Sequence, residues 1–362
     1  MNDLSDHVVN LRGALLSWFE IHRREMPWRQ SKDAYSIWLS EIMLQQTRVD
    51  QAMPYYLRFK AAIPSLEDLA TADLHQVLML WEGLGYYSRG RNLHKAAKKV
   101  YHDYKGVFPR TYEELLGLPG IGPYTAAAIA SIAFNEAKAV VDGNVIRVLS
   151  RLLGIMDDVR LGSTQRLIQT YANEILDPQR PGDFNQALME LGSLVCRPKK
   201  PLCEQCPWSL SCVANKRVEQ HKYPFKSAKA KIPHHDIVVA VLHNSEGKVL
   251  ISRRKEDAML GGLWEFPGGK REGMESLEEA LHREIHEELG ITMKILRPLT
   301  PIRHTYSHFK ITLHPYLCTP VSGEAKALQS DQIQWVEVAQ LNDYPFPKAN
   351  RTLTLEVQRL LG

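Results

Sequence analysis

The sequence predicts two domains of different class, an all-α front followed by an α+β back. Length permits this, since 362 residues hold two domains of the usual ~100 to 200 residues. The hydrophobic period argues for it directly. Apolar residues recur at three- and four-residue spacing through residues 5–215, then give way to short strand-like runs beyond 234. Charge changes at the same place. Residues 1–232 carry 30 Lys and Arg against 24 Asp and Glu, and residues 233–362 carry 15 against 17, so net charges of +6 and −2 make up the +4 of the chain. The stretch between, Lys216–Pro233, is Lys-rich, contains Pro224, Ser227 and Pro233, and has little apolar pattern, as an exposed linker would. The expected organisation is 1–215, a linker over 216–233, and 234–362.

Composition excludes several classes. With 44% hydrophobic and 24% charged residues, the chain is neither collagenous nor wholly disordered. The N-terminus reads Met-Asn-Asp-Leu-Ser-Asp-His, acidic where a secretory signal needs a basic start, so no signal peptide is expected. The longest apolar stretch, Tyr124 to Phe134, falls well short of the ~20 residues that span a bilayer, so no membrane span is expected. The basic front permits a phosphate-backbone partner without requiring one.

In chain order, Leu11, Leu15, Leu16 and Phe19 mark a first amphipathic helix, and Leu66, Leu69, Leu74, Val77 and Leu78 mark a later pair, punctuated by Pro27, Pro54, Pro64, Pro109 and Pro119. Leu118-Pro-Gly120-Ile-Gly122-Pro-Tyr124-Thr125 reads as a tight hairpin between helices. Its glycines let backbone approach closely, and N–H groups opening the next helix suit a phosphate. Asp142, in Val-Val-Asp142-Gly-Asn144-Val-Ile-Arg147, stands where an N-cap would open another helix. Four of the five cysteines follow, spaced Cys196-x6-Cys203-x2-Cys206-x5-Cys212. So short a loop predicts a closed four-thiolate site. Zinc and an iron–sulfur cluster both take four cysteines and both remain open on ligand chemistry. Arg197, Lys199 and Lys200 give the loop a positive face suited to phosphates. Beyond the linker, Ile237–His243, Lys248–Ser252 and Ile311–Cys318 read as strands around one helix, Ser276–Leu289, with Cys318 a buried strand residue.

Trp38-Leu-Ser-Glu41-Ile-Met-Leu-Gln45-Gln46-Thr47 and Gly83-Leu-Gly85-Tyr86-Tyr87-Ser88-Arg89, taken with the hairpin, Asp142 and the cysteine spacing, complete a recognisable set. From about Trp18 to Cys212 the chain resembles the endonuclease III superfamily of helix-hairpin-helix DNA glycosylases, and within it the adenine-removing MutY family. The resemblance implies a [4Fe–4S] cluster on the four cysteines and a grip on the DNA backbone by the hairpin glycines, Gly120 and Gly122. Superfamily members that cut the strand through a Schiff base carry a lysine just after the hairpin. Here that residue is Tyr124, so excision is expected to stop at an abasic site. The resemblance assigns Glu41 as the acid that protonates adenine at N7 and Asp142 as the ionised partner of the sugar cation, a two-carboxylate logic shared with glycoside hydrolysis. Tyr124 and Asn144 become orienting groups. By the resemblance Gln46 and Tyr86 enter the duplex near the base left behind; Arg89 and Arg91 beside Tyr86 suit phosphate contacts, with solvated charges the default expectation for both.

Residues 235 to about 360 resemble a Nudix-type fold, which in the MutY family recognises 8-oxoguanine in the opposite strand. Ser307 and His308 carry over as recognition residues, whereas the family's usual phenylalanine is replaced by Tyr306. The run Gly269-x5-Glu275-x7-Arg283-Glu284-Ile285-x-Glu287-Glu288-x-Gly290-Ile291 fits the complete signature of active Nudix hydrolases. Glu284, Glu287 and Glu288 share a helix face that suits Mg²⁺. A retained structural helix is the reading adopted, with a metal-dependent hydrolase as the alternative. The expected function is a monofunctional DNA glycosylase that removes adenine opposite 8-oxoguanine or guanine in duplex DNA, monomeric, cytoplasmic and nucleoid-associated. Its rivals are a strand-cutting glycosylase for oxidised pyrimidines, a non-catalytic DNA-binding protein, and a hydrolase with the helical half merely attached.

Overall fold

In the computed structural model, residues 2–227, 232–306 and 309–362 are described, side chains from His7 onward. The chain divides into two compact units, Met1–Thr71 with Asn92–Lys229, and Ala72–Arg91 with Ala230–Gly362. No helix among the described residues is long and apolar enough to cross a membrane.

The first unit is helical throughout. Helices Asn2–His22, Gly143–Leu153, Gly162–Ile175 and Pro181–Leu194 bury their apolar stripes against one another around Phe19, Leu149, Ile168 and Phe184. Trp208, from the cysteine loop, plugs into the same core and donates its indole N–H to Leu11 O at 2.9 Å. The loop is thereby anchored to the first helix. Helix Pro123–Phe134 is largely alanine on its buried side, which lets neighbours come close. A Cβ on Gly182 would stand 2.6 Å from Ser131 O, so helix Pro181–Leu194 crosses at a distance only glycine permits. Next to that crossing the buried Asn185 accepts Val140 N–H at 3.0 Å and donates to Lys138 O at 2.8 Å. It pins the extended segment that delivers Asp142.

The second unit holds two sheets. We number its strands β1 (His234–Leu242), β2 (Val249–Arg253), β3 (Trp264–Glu265), β4 (Thr292–Pro298), β5 (Ile302–Thr305), β6 (Lys310–Ser322) and β7 (Gln332–Val336). β6 runs parallel to β1, with Ile237 opposite Leu313, and antiparallel to β5 and β4 along its two halves. β2 pairs antiparallel with β3 and β7. β1 reads as an unbroken apolar run because both its faces are covered. Val239 and Val241 face the core closed by helix Lys348–Leu361, whereas Val238, Ala240 and Leu242 face the one closed by helix Leu277–Leu289. Cys318 lies fully buried in that second core, as a strand residue should.

The supposed linker differs from expectation over the part described. Ser227 N–H reaches Asp158 Oδ2 at 3.2 Å, Val159 N–H reaches Phe225 O at 3.2 Å, and Tyr223 is buried with its carbonyl on Arg151. Lysine-rich composition reported solvent exposure of the side chains and missed these backbone attachments.

Candidate active site

Glu41 lies near the C-terminal end of helix Ala34–Leu44, whose start is fixed by Asp33 accepting Tyr35 and Ser36 N–H. Only 6% of Glu41 is exposed. Burial raises its carboxyl to about 7, against the Tyr124 hydroxyl, which favours the ionised form. That hydroxyl donates to Glu41 Oε2 at 2.7 Å. Tyr124 sits one residue inside the helix opened by Gly122 and Pro123, so the hairpin and the acid are joined by a single side chain.

Asp142 is the N-cap of helix Gly143–Leu153, accepting Val145 N–H at 2.7 Å and the Asn144 amide at 2.8 Å. Burial lifts its carboxyl above the ordinary value, against those two donors. Asn144 is oriented in turn by Arg147 Nη2 at 2.8 Å, and Arg147 also holds Gly192 O and Cys196 O, each at 2.7 Å. A Cβ on Gly192 would come within 2.6 Å of Asn144 Cβ. Glycine there is a condition of the carboxylate's position.

Glu41, Tyr124, Asp142 and Asn144 line one cavity of about 640 Å³. Its wall includes four polar residues that the sequence reading overlooked, Arg24, Arg29, Gln186 and Glu190. Glu190 is 2% exposed and accepts Arg24 Nε at 2.7 Å and Arg29 Nη2 at 3.1 Å. Burial would raise its carboxyl, but the two guanidiniums hold it below its usual value. The available signal was a glutamate placed between Leu188 and Leu191 on a buried helix face, since a charge survives there only when paired.

Gly120 adopts φ +76°, and a Cβ there would meet Asn92 Cβ at 2.6 Å. Gly122 is exposed at the helix start with nothing near the place of its missing Cβ. Gln46 and Tyr86 are both exposed and both left-handed, at φ 56° and 50°, a conformation rare for such residues and concentrated at functional sites. Arg89 and Arg91 are not the solvated charges expected by default. Arg89 is 8% exposed and donates to Gly85 O at 3.1 Å, and Arg91 is 9% exposed and donates to Gly261 O at 2.7 Å. Both guanidiniums brace backbone. Ser307 and His308 lie outside the described residues.

Cys196, Cys203, Cys206 and Cys212 line one small pocket of about 30 Å³ together with Arg151 and Gln220. Arg151 Nη1 approaches Cys196 Sγ at 3.4 Å and Gln220 Nε2 approaches Cys203 Sγ at 3.6 Å. Among the described residues no group of three or more His, Cys, Asp or Glu is gathered at metal-holding distances. In the second unit Glu284, Glu287 and Glu288 share helix Leu277–Leu289, where their carboxyls take different partners. Arg283 Nη1 takes Glu284 at 3.0 Å and Glu287 at 3.5 Å, while Nη2 holds Glu275 at 2.8 Å. Glu288 turns inward onto Gly268 N–H at 3.0 Å, and burial, then Glu265, pushes its carboxyl up to about 8.

The hairpin-led helical unit brings buried Glu41 and half-buried Asp142 to one cavity, an arrangement that fits a helix-hairpin-helix glycosylase. Residues 39–177 accordingly match the family model described as HhH-GPD superfamily base excision DNA repair protein, and residues 238–356 match the NUDIX domain. A solved thermostable thymine-DNA glycosylase is 29% identical, with a TM-score of 0.55 over 59% of this chain and 99% of that one. The human adenine DNA glycosylase is 38% identical, the alignment covering 85% of this chain and 67% of the relative. That of Buchnera aphidicola subsp. Acyrthosiphon pisum is 34% identical over 84% and 85% respectively. The chain belongs to the adenine DNA glycosylase family.

Proposed function

We propose that the protein is a monofunctional glycosylase of base excision repair that removes adenine from duplex DNA where it is paired with 8-oxoguanine or guanine. The observation that carries the reading is Glu41, buried in the cavity with a carboxyl raised to about 7 and in contact with a tyrosine where a Schiff-base enzyme needs an amine. At neutral pH such a carboxyl still holds a proton to give. Glu41 passes it to adenine N7. The electron pair of the C1′–N9 bond then leaves with the purine, which departs as the neutral base. Asp142, held by two donors, faces the developing positive charge on C1′ and stabilises it electrostatically. Water adds to C1′, and its proton returns to the carboxylate left on Glu41. The product is an abasic site with both strands intact.

The polar wall fits a purine edge. Gln186 offers both a donor and an acceptor, while Glu190, its oxygens taken by Arg24 and Arg29, fixes the two guanidiniums in the wall. Exposed Gln46 and Tyr86 are the groups that enter the duplex, and the N–H groups at Gly120–Gly122 take a backbone phosphate. Ser307 and His308 read the partner base. The protein acts as a monomer at the nucleoid.

The donor set suits a [4Fe–4S] cluster on Cys196, Cys203, Cys206 and Cys212. Four sulfurs share a pocket, and N–H groups of Arg151 and Gln220 aim at two of them, as thiolate ligands require. When bound, the cluster cross-links the loop that Trp208 docks into the helical core.

The test is a duplex labelled on the adenine strand opposite 8-oxoguanine. Cleavage that depends on alkali, and that Glu41→Gln abolishes while duplex binding persists, is the expected result. Nicking without alkali overturns the monofunctional reading, and binding without any base release overturns the enzymatic one.

A further inference from the structure

Residues Ala72–Arg91 belong to the second unit although the rest of the helical sequence around them belongs to the first. They form helix Leu74–Trp81, the glycine-rich turn Glu82–Tyr87 and the opening of helix Ser88–Asp103. The turn is built from left-handed residues, Gly83 at φ 89°, Gly85 at 79° and Tyr86 at 50°. Within it, Trp81 Nε1 and Arg89 Nη2 both donate to Gly85 O at 3.1 Å, and the Arg89 guanidinium lies 5.3 Å over the Tyr86 ring.

What anchors the turn comes from the C-terminal residues of its own unit. Arg351, on helix Lys348–Leu361, donates through Nε to Glu82 Oε1 at 2.7 Å, and its Nη1 and Nη2 hold Leu341 O and Tyr344 O at 3.1 and 2.6 Å. Its guanidinium also stacks 5.2 Å over Phe346. Phe346 closes the arrangement from both sides, giving its N–H to Glu82 at 3.3 Å and accepting the Tyr87 hydroxyl at 3.1 Å. Arg91 Nη1 reaches Gly261 O at 2.7 Å on the far side of the turn. Glu82 and Arg351 are each about one-fifth exposed, so the pair is shielded from water more than a surface ion pair.

We propose that Glu82 and Arg351 are positioning residues: through Phe346 and Tyr87 they clamp the turn so that the C-terminal domain sets where Tyr86 stands when the protein engages a duplex. The inference rests on the reading of Tyr86 as the group that enters DNA and goes beyond it. The C-terminal domain then has two outputs, contact with the partner base and placement of the side chain that wedges beside it. A charged hydrogen bond is worth about 1.5–3 kcal/mol, which corresponds to a loss of roughly ten- to a hundred-fold in the wedged population when the clamp is broken.

The experiment uses the full chain and a duplex with an uncleavable 2′-fluoro adenine nucleotide opposite guanine, carrying 2-aminopurine beside that guanine. The fluorescence rise on unstacking is read for the parent and for Glu82→Gln, Arg351→Met and Tyr86→Ala, and for each clamp variant combined with Tyr86→Ala. Thermal unfolding of every variant checks folding, and Arg351→Lys serves as the conservative variant. The proposal expects Glu82→Gln and Arg351→Met to lose the signal as Tyr86→Ala does, Arg351→Lys to recover part of it, and the combined variants to lose no more than Tyr86→Ala alone. A purely structural role would not give that masking. If Tyr86→Ala loses the signal while the clamp variants keep it, or lower it independently, the clamp is overturned and the Tyr86 reading stands. If Tyr86→Ala keeps the signal, the Tyr86 reading fails and the clamp fails with it.

Discussion

Replacing Glu41 by glutamine should make the protein inactive and more stable, and the size of the gain follows from the site. Burial moves the Glu41 carboxyl from 4.5 to about 7, a rise worth 1.36 kcal/mol per unit. Below pH 4.5 folded and unfolded chains both hold the proton, and the group contributes nothing. As pH rises from 4.5 to 7 the unfolded chain ionises while the folded one does not, so the unfolded state gains and stability is lost. Above pH 7 the loss is complete at about 3 kcal/mol. Glutamine has the shape without the ionisation, and its amide oxygen can accept the Tyr124 hydroxyl. Paired urea transitions of parent and Glu41→Gln should therefore coincide near pH 4 and separate by about 3 kcal/mol at pH 8. Other titrating groups, such as Glu288, are common to both proteins and cancel in the difference. Equal stabilities at pH 8, or a separation already present at pH 4, would refute the claim that desolvation holds the proton on Glu41.

Three further outcomes follow from the same geometry. Tyr124→Phe removes the donor that favours ionised Glu41, so the alkaline limb of single-turnover excision should move up from about 7 by roughly 1–2 units; an unmoved limb removes the tyrosine from the acid's control. Gly192→Ala places a methyl 2.6 Å from Asn144 Cβ, an overpacking cost of about 1–3 kcal/mol, and single-turnover excision should fall about ten-fold or more while the limb set by Glu41 stays; a parental rate would show that Asn144 does not position Asp142. Cys206→Ser should lower the iron bound per chain and the thermal midpoint together, by metal analysis and scanning calorimetry; full iron content in the variant would remove Cys206 from the ligand set.

Where a residue's meaning is local, the sequence was enough to read it. The period of three and four in Leu11–Phe19 encodes a helix face, and Asp142 before Gly-Asn-Val encodes an N-cap, because the donor it satisfies lies three residues ahead. The cysteine loop was legible for the same reason of proximity, and the unbroken apolar run within β1 announced a strand. Arg89 and Arg91 were misread because charge in a sequence says nothing of burial. Their carbonyl partners arise only once the turn has folded. Glu284, Glu287 and Glu288 were placed on one helix face correctly, yet which of them pairs with Arg283 and which turns inward depends on rotamers chosen by Gly268 and Glu265, some twenty residues earlier.

The sequence by itself determined the two fold classes, the hairpin and the cysteine spacing, since each is written in residues near one another along the chain, whereas Glu41 and Asp142 were singled out through the family resemblance. Only the tertiary structure decided that Glu41 meets Tyr124 across 83 positions, that Glu190 pairs with Arg24 and Arg29 across more than 160, and that the Tyr86 turn is anchored 269 positions downstream at Arg351. The physical reason is that a carboxyl acquires its proton affinity from desolvation and from the partners that folding brings to it. Neither quantity exists until distant segments have packed.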